Sequence, residues 1–222
     1  PEIDQTACRK DCARCIGACP VNAIARDAET NKLTVDLGKC IFCEKCVSEC
    51  GEHKAIRFND EYALSALKRE DLVIGKNEFK MAEQKDFRFQ SLFGRSLRIR
   101  QVSAGGCAAC ELDVNVLTTL AWDMGRFGID IVASPRHADC ILVTGPVSKN
   151  MLLAMKKTFD SIPQPRFVIA CGACAISGGL YADNAETCGG VEKIFKADLY
   201  IPGCPPHPAT ILDGMLRLMG KI

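Results

Sequence analysis

Cysteine is the residue that most constrains this sequence, because 15 of its 222 residues are cysteines and many lie in tight groups. Two runs of four stand near the start of the chain. They are Cys8, Cys12, Cys15 and Cys19, then Cys40, Cys43, Cys46 and Cys50. The last three cysteines of the runs match at one constant offset, and an Ala-Ile pair follows each run. The segment is therefore an internal repeat.

The spacing within each run suits a compact metal cluster. Short gaps let three thiolates and nearby backbone N–H groups wrap one face of a cluster, while a longer gap points the fourth cysteine elsewhere. This pattern resembles the two-cluster ferredoxins, in which the fourth cysteine ligates the other cluster. The resemblance implies an α+β, ferredoxin-like dicluster domain over residues 1–60 with two [4Fe–4S] clusters. The implied ligands are Cys8, Cys12, Cys15 and Cys50 for the first cluster, and Cys40, Cys43, Cys46 and Cys19 for the second.

Two features of the runs depart from the usual ferredoxin pattern. The first gap has three residues where two are normal, and Gly51 stands where proline usually follows the last cysteine. Cysteines two residues apart also form zinc sites, so a zinc-binding interaction module is the alternative from another functional class. The ferredoxin spacing favours iron–sulfur clusters over zinc. Closely spaced cysteines usually share a metal, so we do not expect disulfides.

Charge and hydropathy exclude some partners. The 28 Lys and Arg residues balance 27 Asp and Glu residues, which argues against a nucleic-acid partner. No uninterrupted apolar stretch reaches the roughly 18 residues that a membrane-spanning helix needs. The first residues show neither the basic nor the apolar region of an export signal. We expect a cytoplasmic protein, with peripheral attachment to the membrane through partner subunits as an option.

Residues 61–95 are predicted to link two domains. Residues 61–70 show the apolar spacing of a short amphipathic helix. A charged stretch follows and contains four phenylalanines, which are Phe79, Phe87, Phe89 and Phe93. One interpretation is an arm that packs against another subunit or against the next domain. The other is a linker that buries a few phenylalanines on its own chain, and the sequence leaves both open.

Residues 96–222 read as alternating strands and helices. Predicted strands cover 96–102, 129–132, 140–144, 166–170 and 198–201. Helical patterns follow Cys110, cover 151–159, and begin again after Pro208. Such alternation predicts a doubly wound α/β domain with a parallel sheet. Cys107 and Cys110 follow the first strand, Cys174 the fourth and Cys204 the fifth, so all four are expected at the carboxyl edge of the sheet.

The sequence around these four cysteines resembles a known family. The segments are G-x-C-x-x-C at 105–110, G-x-C-x-x-x-G-G at 172–179 and P-G-C-P-P at 202–206. They resemble the small subunit of [NiFe]-hydrogenases and the homologous 20-kDa subunit of respiratory complex I. The resemblance implies a flavodoxin-like fold for residues 96–222 and a proximal [4Fe–4S] cluster on Cys107, Cys110, Cys174 and Cys204. Three [4Fe–4S] clusters are then expected in all.

The resemblance also implies a function. The chain would be the electron-transfer subunit of an oxidoreductase, without a catalytic site of its own, relaying electrons between a donor or acceptor and the Ni–Fe site of a large subunit. Other electron-transfer subunits and a membrane arm are the further partners that it implies.

The spacing of the first motif bears on the branch of the family. The complex I branch typically has two adjacent cysteines there, whereas two alanines separate Cys107 from Cys110. This favours the energy-converting or formate-hydrogenlyase-like hydrogenases. The alternative is a complex I-like subunit that passes electrons to a quinone or another carrier.

Four further residues have no settled role in the sequence. Glu111 is either an acid that favours the start of a helix or a proton-path or interface carboxylate. Cys140 is expected in a buried strand. Cys171 competes with Cys174 as a ligand, and Cys174 is preferred because it fits the motif. Cys188 has no assigned role.

Overall fold

The two cysteine runs fold into short helices and strands. The elements of this N-terminal module are β1 (Glu2–Ile3), α1 (Arg14–Ala18), β2 (Ile24–Arg26), β3 (Leu33–Asp36), α2 (Lys45–Cys50) and β4 (Ile56–Arg57). β1 pairs antiparallel with β4, and β2 pairs antiparallel with β3. Each run of cysteines thus becomes a loop, a short helix and a strand.

The computed structural model describes residues 1–9, 11–76, 79–84 and 86–222. Residue 10 of the predicted ferredoxin-like domain and residues 77, 78 and 85 of the predicted arm lie outside the described residues. Within the described ranges, no helix is both long and apolar enough to cross a bilayer.

The helix predicted over 61–70 is wrong. Residues 61–65 have no regular structure, Ala66 forms an isolated antiparallel bridge with Tyr200, and a 3-10 turn covers Arg69–Leu72. The chain then forms β5 (Val73–Ile74), which pairs antiparallel with β3. Pairing with strands of both domains satisfies the backbone here, and such tertiary contacts override a weak local helix preference.

The helix at the end of the arm packs on its own chain. Helix α3 (Phe87–Phe93) lies against the start of the fourth strand of the α/β domain. The ring centroids of Phe89 and Phe93 lie 5.1 and 5.2 Å from that of Phe167. Phe87 on the same helix is 79% exposed. This packing on the next domain of the same chain fits both interpretations of residues 61–95, so the choice between them stays a prediction.

A five-stranded parallel sheet forms the centre of the C-terminal domain. Its elements are β6 (Leu97–Ser103), α4 (Ala109–Val116), β7 (Ile129–Ile131), β8 (Cys140–Thr144), α5 (Lys149–Asp160), β9 (Phe167–Cys171), α6 (Ala173–Ser177), β10 (Leu199–Ile201) and α7 (Pro208–Leu218). The strand order is β10-β9-β8-β6-β7. Numbered from the first strand of the domain, this is the 2-1-3-4-5 order of flavodoxin-like sheets. The predicted parallel α/β sheet is confirmed.

Two apolar layers cover the sheet. Val114 of α4 and Ile211 of α7 belong to one layer. Met155 of α5 and Ile176 of α6 belong to the other, which continues into the N-terminal module through residues such as Val35. The module is thus packed onto one face of the α/β domain, and shared apolar burial stabilises this arrangement.

Candidate metal centres

Four cysteines of the α/β domain lie at the carboxyl edge of its sheet. Cys107 lies in the loop after β6, and Cys110 is the second residue of α4. Cys174 is the second residue of α6, directly after β9, and Cys204 follows β10. β6 lies between β7 and β8, where the strand order reverses, and sites of open α/β sheets form at such switch points.

Backbone hydrogen bonds hold two of these loops together. The N–H of Gly172 donates to the carbonyl of Ile201 at 2.8 Å, and that of Ala173 donates to the carbonyl of Gly203 at 2.8 Å. The loop that carries Cys174 is therefore fixed against the loop that carries Cys204. Fixed loops hold ligand side chains in position before a metal binds.

The electrostatics show that the four thiols are neighbours. Burial, followed by the charges of Glu111, Cys174, Cys204 and Cys107, raises the pKa of Cys110 to about 12. Burial and then the charges of Cys204 and Cys107 raise the pKa of Cys174 to about 11. Burial and mutual repulsion oppose the ionisation of all four thiols unless a cation compensates their negative charge. A bound metal supplies that charge and replaces the protons.

Two glycines let the backbone approach these thiols closely. Gly172 has a φ of +93°, and a Cβ there would lie 2.6 Å from the Sγ of Cys110. A Cβ at Gly179 would lie 2.9 Å from the Sγ of Cys174. Side chains at these positions would occupy the space beside both sulfurs. The four-thiol donor set, with glycines against two of its sulfurs, thus fits an iron–sulfur cluster.

Glu111 is anchored at the edge of this site. The hydroxyl of Thr144, the last residue of β8, donates to Oε1 of Glu111 at 2.7 Å. Glu111 also lies in the first turn of α4, where an acid favours the helix. Both features place the carboxylate beside Cys110 and describe its structural role. Its proposed role as a proton-path or interface residue stays a prediction.

The N-terminal module contains two cavities, and each is lined by four cysteines. Cys8, Cys12, Cys15 and Cys50 line the first cavity. Cys19, Cys40, Cys43 and Cys46 line the second. Each cavity therefore takes three cysteines from one run and one from the other, which is the exchange that the ferredoxin resemblance implies. We call these groups the first set and the second set, and the group of Cys107, Cys110, Cys174 and Cys204 the proximal set.

The two cavities differ in their surroundings. The guanidinium of Arg26 donates to the Sγ of Cys8 at 3.4 Å, and hydrogen bonds from Arg14 lower the pKa of Cys12. In the second cavity, burial raises the pKa of Cys40 to about 11, and Phe58 lies in the wall. Neither arginine is identifiable from the sequence, because no spacing rule connects them with the cysteines.

The three remaining cysteines belong to none of these sets. Cys140 in β8 and Cys171 at the end of β9 are fully buried, and burial raises the pKa of both well above the usual range. Cys171 is near Cys110, but unlike Cys174 it is wholly enclosed in the core. Cys188 is half-buried, and its N–H donates to the carbonyl of Val147. Across the described ranges, no three His, Cys, Asp or Glu side chains converge on a point suited to a single metal ion.

Family models match both parts of the chain. Residues 107–218 match the family described as NADH ubiquinone oxidoreductase, 20 Kd subunit. Residues 1–51 match the family described as 4Fe-4S dicluster domain. The two matches include all twelve cysteines of the three sets.

Individual relatives come from several complexes. The probable membrane-bound hydrogenase subunit mbhJ of Pyrococcus furiosus is 36% identical over 150 residues, covering 68% of this chain and 90% of that protein. An NADH-quinone oxidoreductase subunit of Citrifermentans bemidjiense is 43% identical, covering 53% of this chain and 68% of that protein. Formate hydrogenlyase subunit 7 of Escherichia coli is 42% identical, covering 58% of this chain and half of that protein.

A solved structure is also similar. A chain of the membrane-bound sulfane sulfur reductase, an archaeal respiratory membrane complex, superimposes with a TM-score of 0.52 at 35% identity. The match covers 60% of this chain and 73% of that chain.

Proposed function

The chain belongs to the NADH ubiquinone oxidoreductase 20 Kd subunit family, and from this membership we propose that it is the small electron-transfer subunit of a [NiFe]-hydrogenase-type complex. The observation that carries the proposal is the gathering of the proximal set at the carboxyl edge of a flavodoxin-like sheet. The two cysteine cavities of the adjoining module support it, because they provide eight more thiols on the same chain.

Each set of cysteines is assigned one [4Fe–4S] cluster in this proposal. The first and second sets lie in a ferredoxin-like dicluster domain over residues 1–60, and the proximal set lies in the domain over residues 96–222. Bound clusters supply one-electron redox centres. The protein itself holds the thiolates, limits their exposure to water and sets the spacing between the three sites.

A large partner subunit is proposed to cover the proximal set. Cys107 and Cys204 are exposed, and exposed leucines follow Cys110 and Cys174 along the chain. Leu112 and Leu120 are 64% and 99% exposed, and Leu180, beside Gly179, is 57% exposed. Exposed apolar side chains near a site commonly mark a protein interface. We propose that this subunit carries the Ni–Fe site and that other subunits attach the complex peripherally to the cytoplasmic face of a membrane.

A complex I-like role is the second candidate. It is favoured by the relative from Citrifermentans bemidjiense, which has the higher identity, 43% against 36% for the hydrogenase subunit. In that case the partner of the proximal set would pass electrons to a quinone or another carrier. The two alanines between Cys107 and Cys110 favour the hydrogenase candidate.

Anaerobic purification of the chain with its native partners tests the proposal. We expect about twelve iron atoms per copy of this chain, the content of three [4Fe–4S] clusters, after subtraction of iron bound by the partners. We also expect nickel in a partner subunit and H2-dependent dye reduction. Full iron without nickel, together with quinone reduction, would favour the second candidate. A colourless protein that contains zinc would refute both.

A further inference from the structure

One short segment connects the loops of two cysteine sets. We call residues 66–74 the strap. At its first end, Ala66 exchanges backbone hydrogen bonds of 3.1 and 2.9 Å with Tyr200 of β10, the strand that leads to Cys204. At its other end, β5 pairs with β3, the strand that leads to Cys40, and Leu72 accepts from the N–H of Leu37 at 2.9 Å. The strap is therefore paired with both strands that precede ligand loops.

An ion pair fixes the middle of the strap to the loop of Cys40. The guanidinium of Arg69 donates to both carboxylate oxygens of Asp36, at 2.8 and 2.6 Å. Both side chains are mostly buried, with exposures of 25% for Arg69 and 17% for Asp36. A bidentate ion pair of this kind fixes the relative orientation of the two side chains as well as their separation.

Asp36 in turn shapes the loop of Cys40. Its carboxylate accepts from the N–H of Gly38 at 2.9 Å, and its carbonyl accepts from the N–H of Cys40 at 3.0 Å. The position of Arg69 is thus transmitted to the backbone of a cysteine in the second set.

The same loop touches the α/β domain beside Cys174. A Cβ built on Gly38 would lie 2.9 Å from Cζ of Arg69 and 2.9 Å from Cγ2 of Ile176. Ile176 lies in α6, two residues after Cys174. A side chain at Gly38 would displace the guanidinium or Ile176, because the loop and α6 approach each other closely here.

The loop of the second set and the loop of Cys204 meet at one cleft. A single cleft is lined by Phe42, from the loop between Cys40 and Cys43, and by Pro205, next to Cys204. Together with the approach of Gly38 to Ile176, this cleft shows that the loop carrying Cys40 and Cys43 faces the α/β domain.

Resting on the proposed function, we propose that the Arg69–Asp36 pair is a positioning lock. It holds the second set at a fixed separation from the proximal set, and electrons leave the module on the side of the second set. Neither residue is a metal ligand in this proposal, and both act through the backbone of the Cys40 loop.

The lock is tested in the full chain with Arg69→Gln, Arg69→Lys and Asp36→Asn. The matched control is Arg57→Gln, which removes an ion pair of 2.9 Å with Glu2 on the module surface. Iron content reports cluster loading, and EPR of the fully reduced chain reports the magnetic splitting between the second and proximal sites. We expect Arg69→Gln and Asp36→Asn to keep their iron and lose this splitting, Arg69→Lys to retain part of it, and Arg57→Gln to match the parent.

Three results would overturn the lock. One is parental splitting in both Arg69→Gln and Asp36→Asn. A second is loss of iron from both variants, since the pair would then be a folding determinant. The third is a fully loaded parent without splitting between these two sites. A parent chain that lacks cluster iron would instead refute the proposed function itself.

Discussion

The two cavities of the N-terminal module have the same plan and different walls. In both, an alanine N–H that follows the run donates to the last cysteine: Ala23 to the Sγ of Cys19 and Ala55 to the Sγ of Cys50, each at 3.2 Å. The repeat in the sequence therefore reproduces the backbone donors as well as the thiols.

The walls differ where the repeat ends. Aligning the two Ala-Ile pairs places Arg26 opposite Phe58. Arg26 brings a positive charge and an N–H donor to Cys8, whereas Phe58 packs against Phe42 with ring centroids 5.9 Å apart. Charge and hydrogen bonds to sulfur are the means by which proteins tune cluster potentials. The comparison indicates that the repeat provides the ligands and that its neighbours make the two sites unequal.

The largest effect is expected from substitution of the fourth cysteine of each run. Cys50→Ala is expected to abolish the first cluster, and Cys19→Ala the second, although Cys19 belongs to the first run. Each variant should lose about four iron atoms, the content of one [4Fe–4S] cluster. Iron analysis with EPR of each variant distinguishes the two signals. Loss of the same signal in both variants would contradict the assignment of the cavities.

Strand β3 contributes a residue to each cavity, and substitutions in it are expected to have the next largest effect. Leu33 lines the first cavity, and Val35 on the same face lines the second. Leu33 is fully buried, so Leu33→Ala is expected to destabilise the fold by about 2–5 kcal/mol. Chelator-induced bleaching followed by EPR should show faster loss of the first cluster in this variant, and of the second in Val35→Ala. Equal loss from both cavities in each variant would show that they do not respond separately.

Removing the arginine donor is expected to change a potential without removing a cluster. Arg26→Gln should lower the reduction potential of the first cluster, because the positive charge stabilises the more negative reduced state. The shift should be on the order of tens of millivolts, since 59 mV corresponds to a tenfold change for a one-electron couple. An EPR-monitored redox titration measures both clusters at once. A potential shift confined to the second cluster would contradict the conclusion that Arg26 acts on the first site.

The smallest effect is expected from Arg57→Gln. Arg57 pairs with Glu2 on the surface of the module, and exposed pairs of this kind contribute little to stability. Iron content, both potentials and the unfolding midpoint should match those of the parent chain. A clear change in the iron content or potential of either cluster would mean that surface charge affects the clusters more strongly than Arg26 and Phe58 do.

Much of the fold could be predicted from local patterns. The apolar run at 140–144 gave β8 with its correct bounds, and the strands at 129, 166 and 198 were displaced by one residue at most at either end. Such runs succeed because a central parallel strand is buried on both faces. The helix predicted over residues 61–70 was wrong, because their structure depends on pairing with Tyr200 and β3. A local hydrophobic pattern contains no information about such pairing.

The sequence by itself determined how the cysteines are grouped and that strands lead to four of them, because short spacing and hydrophobic runs are local properties. The ligand roles of the twelve cysteines stay predictions. Only the tertiary structure decided that Arg26 reaches Cys8, that residues 66–74 join two domains, and that Arg69 pairs with Asp36. These contacts join residues 18 to 134 positions apart. Residues so distant in sequence meet only when the chain has folded, so spacing along the chain carries no signal for these contacts.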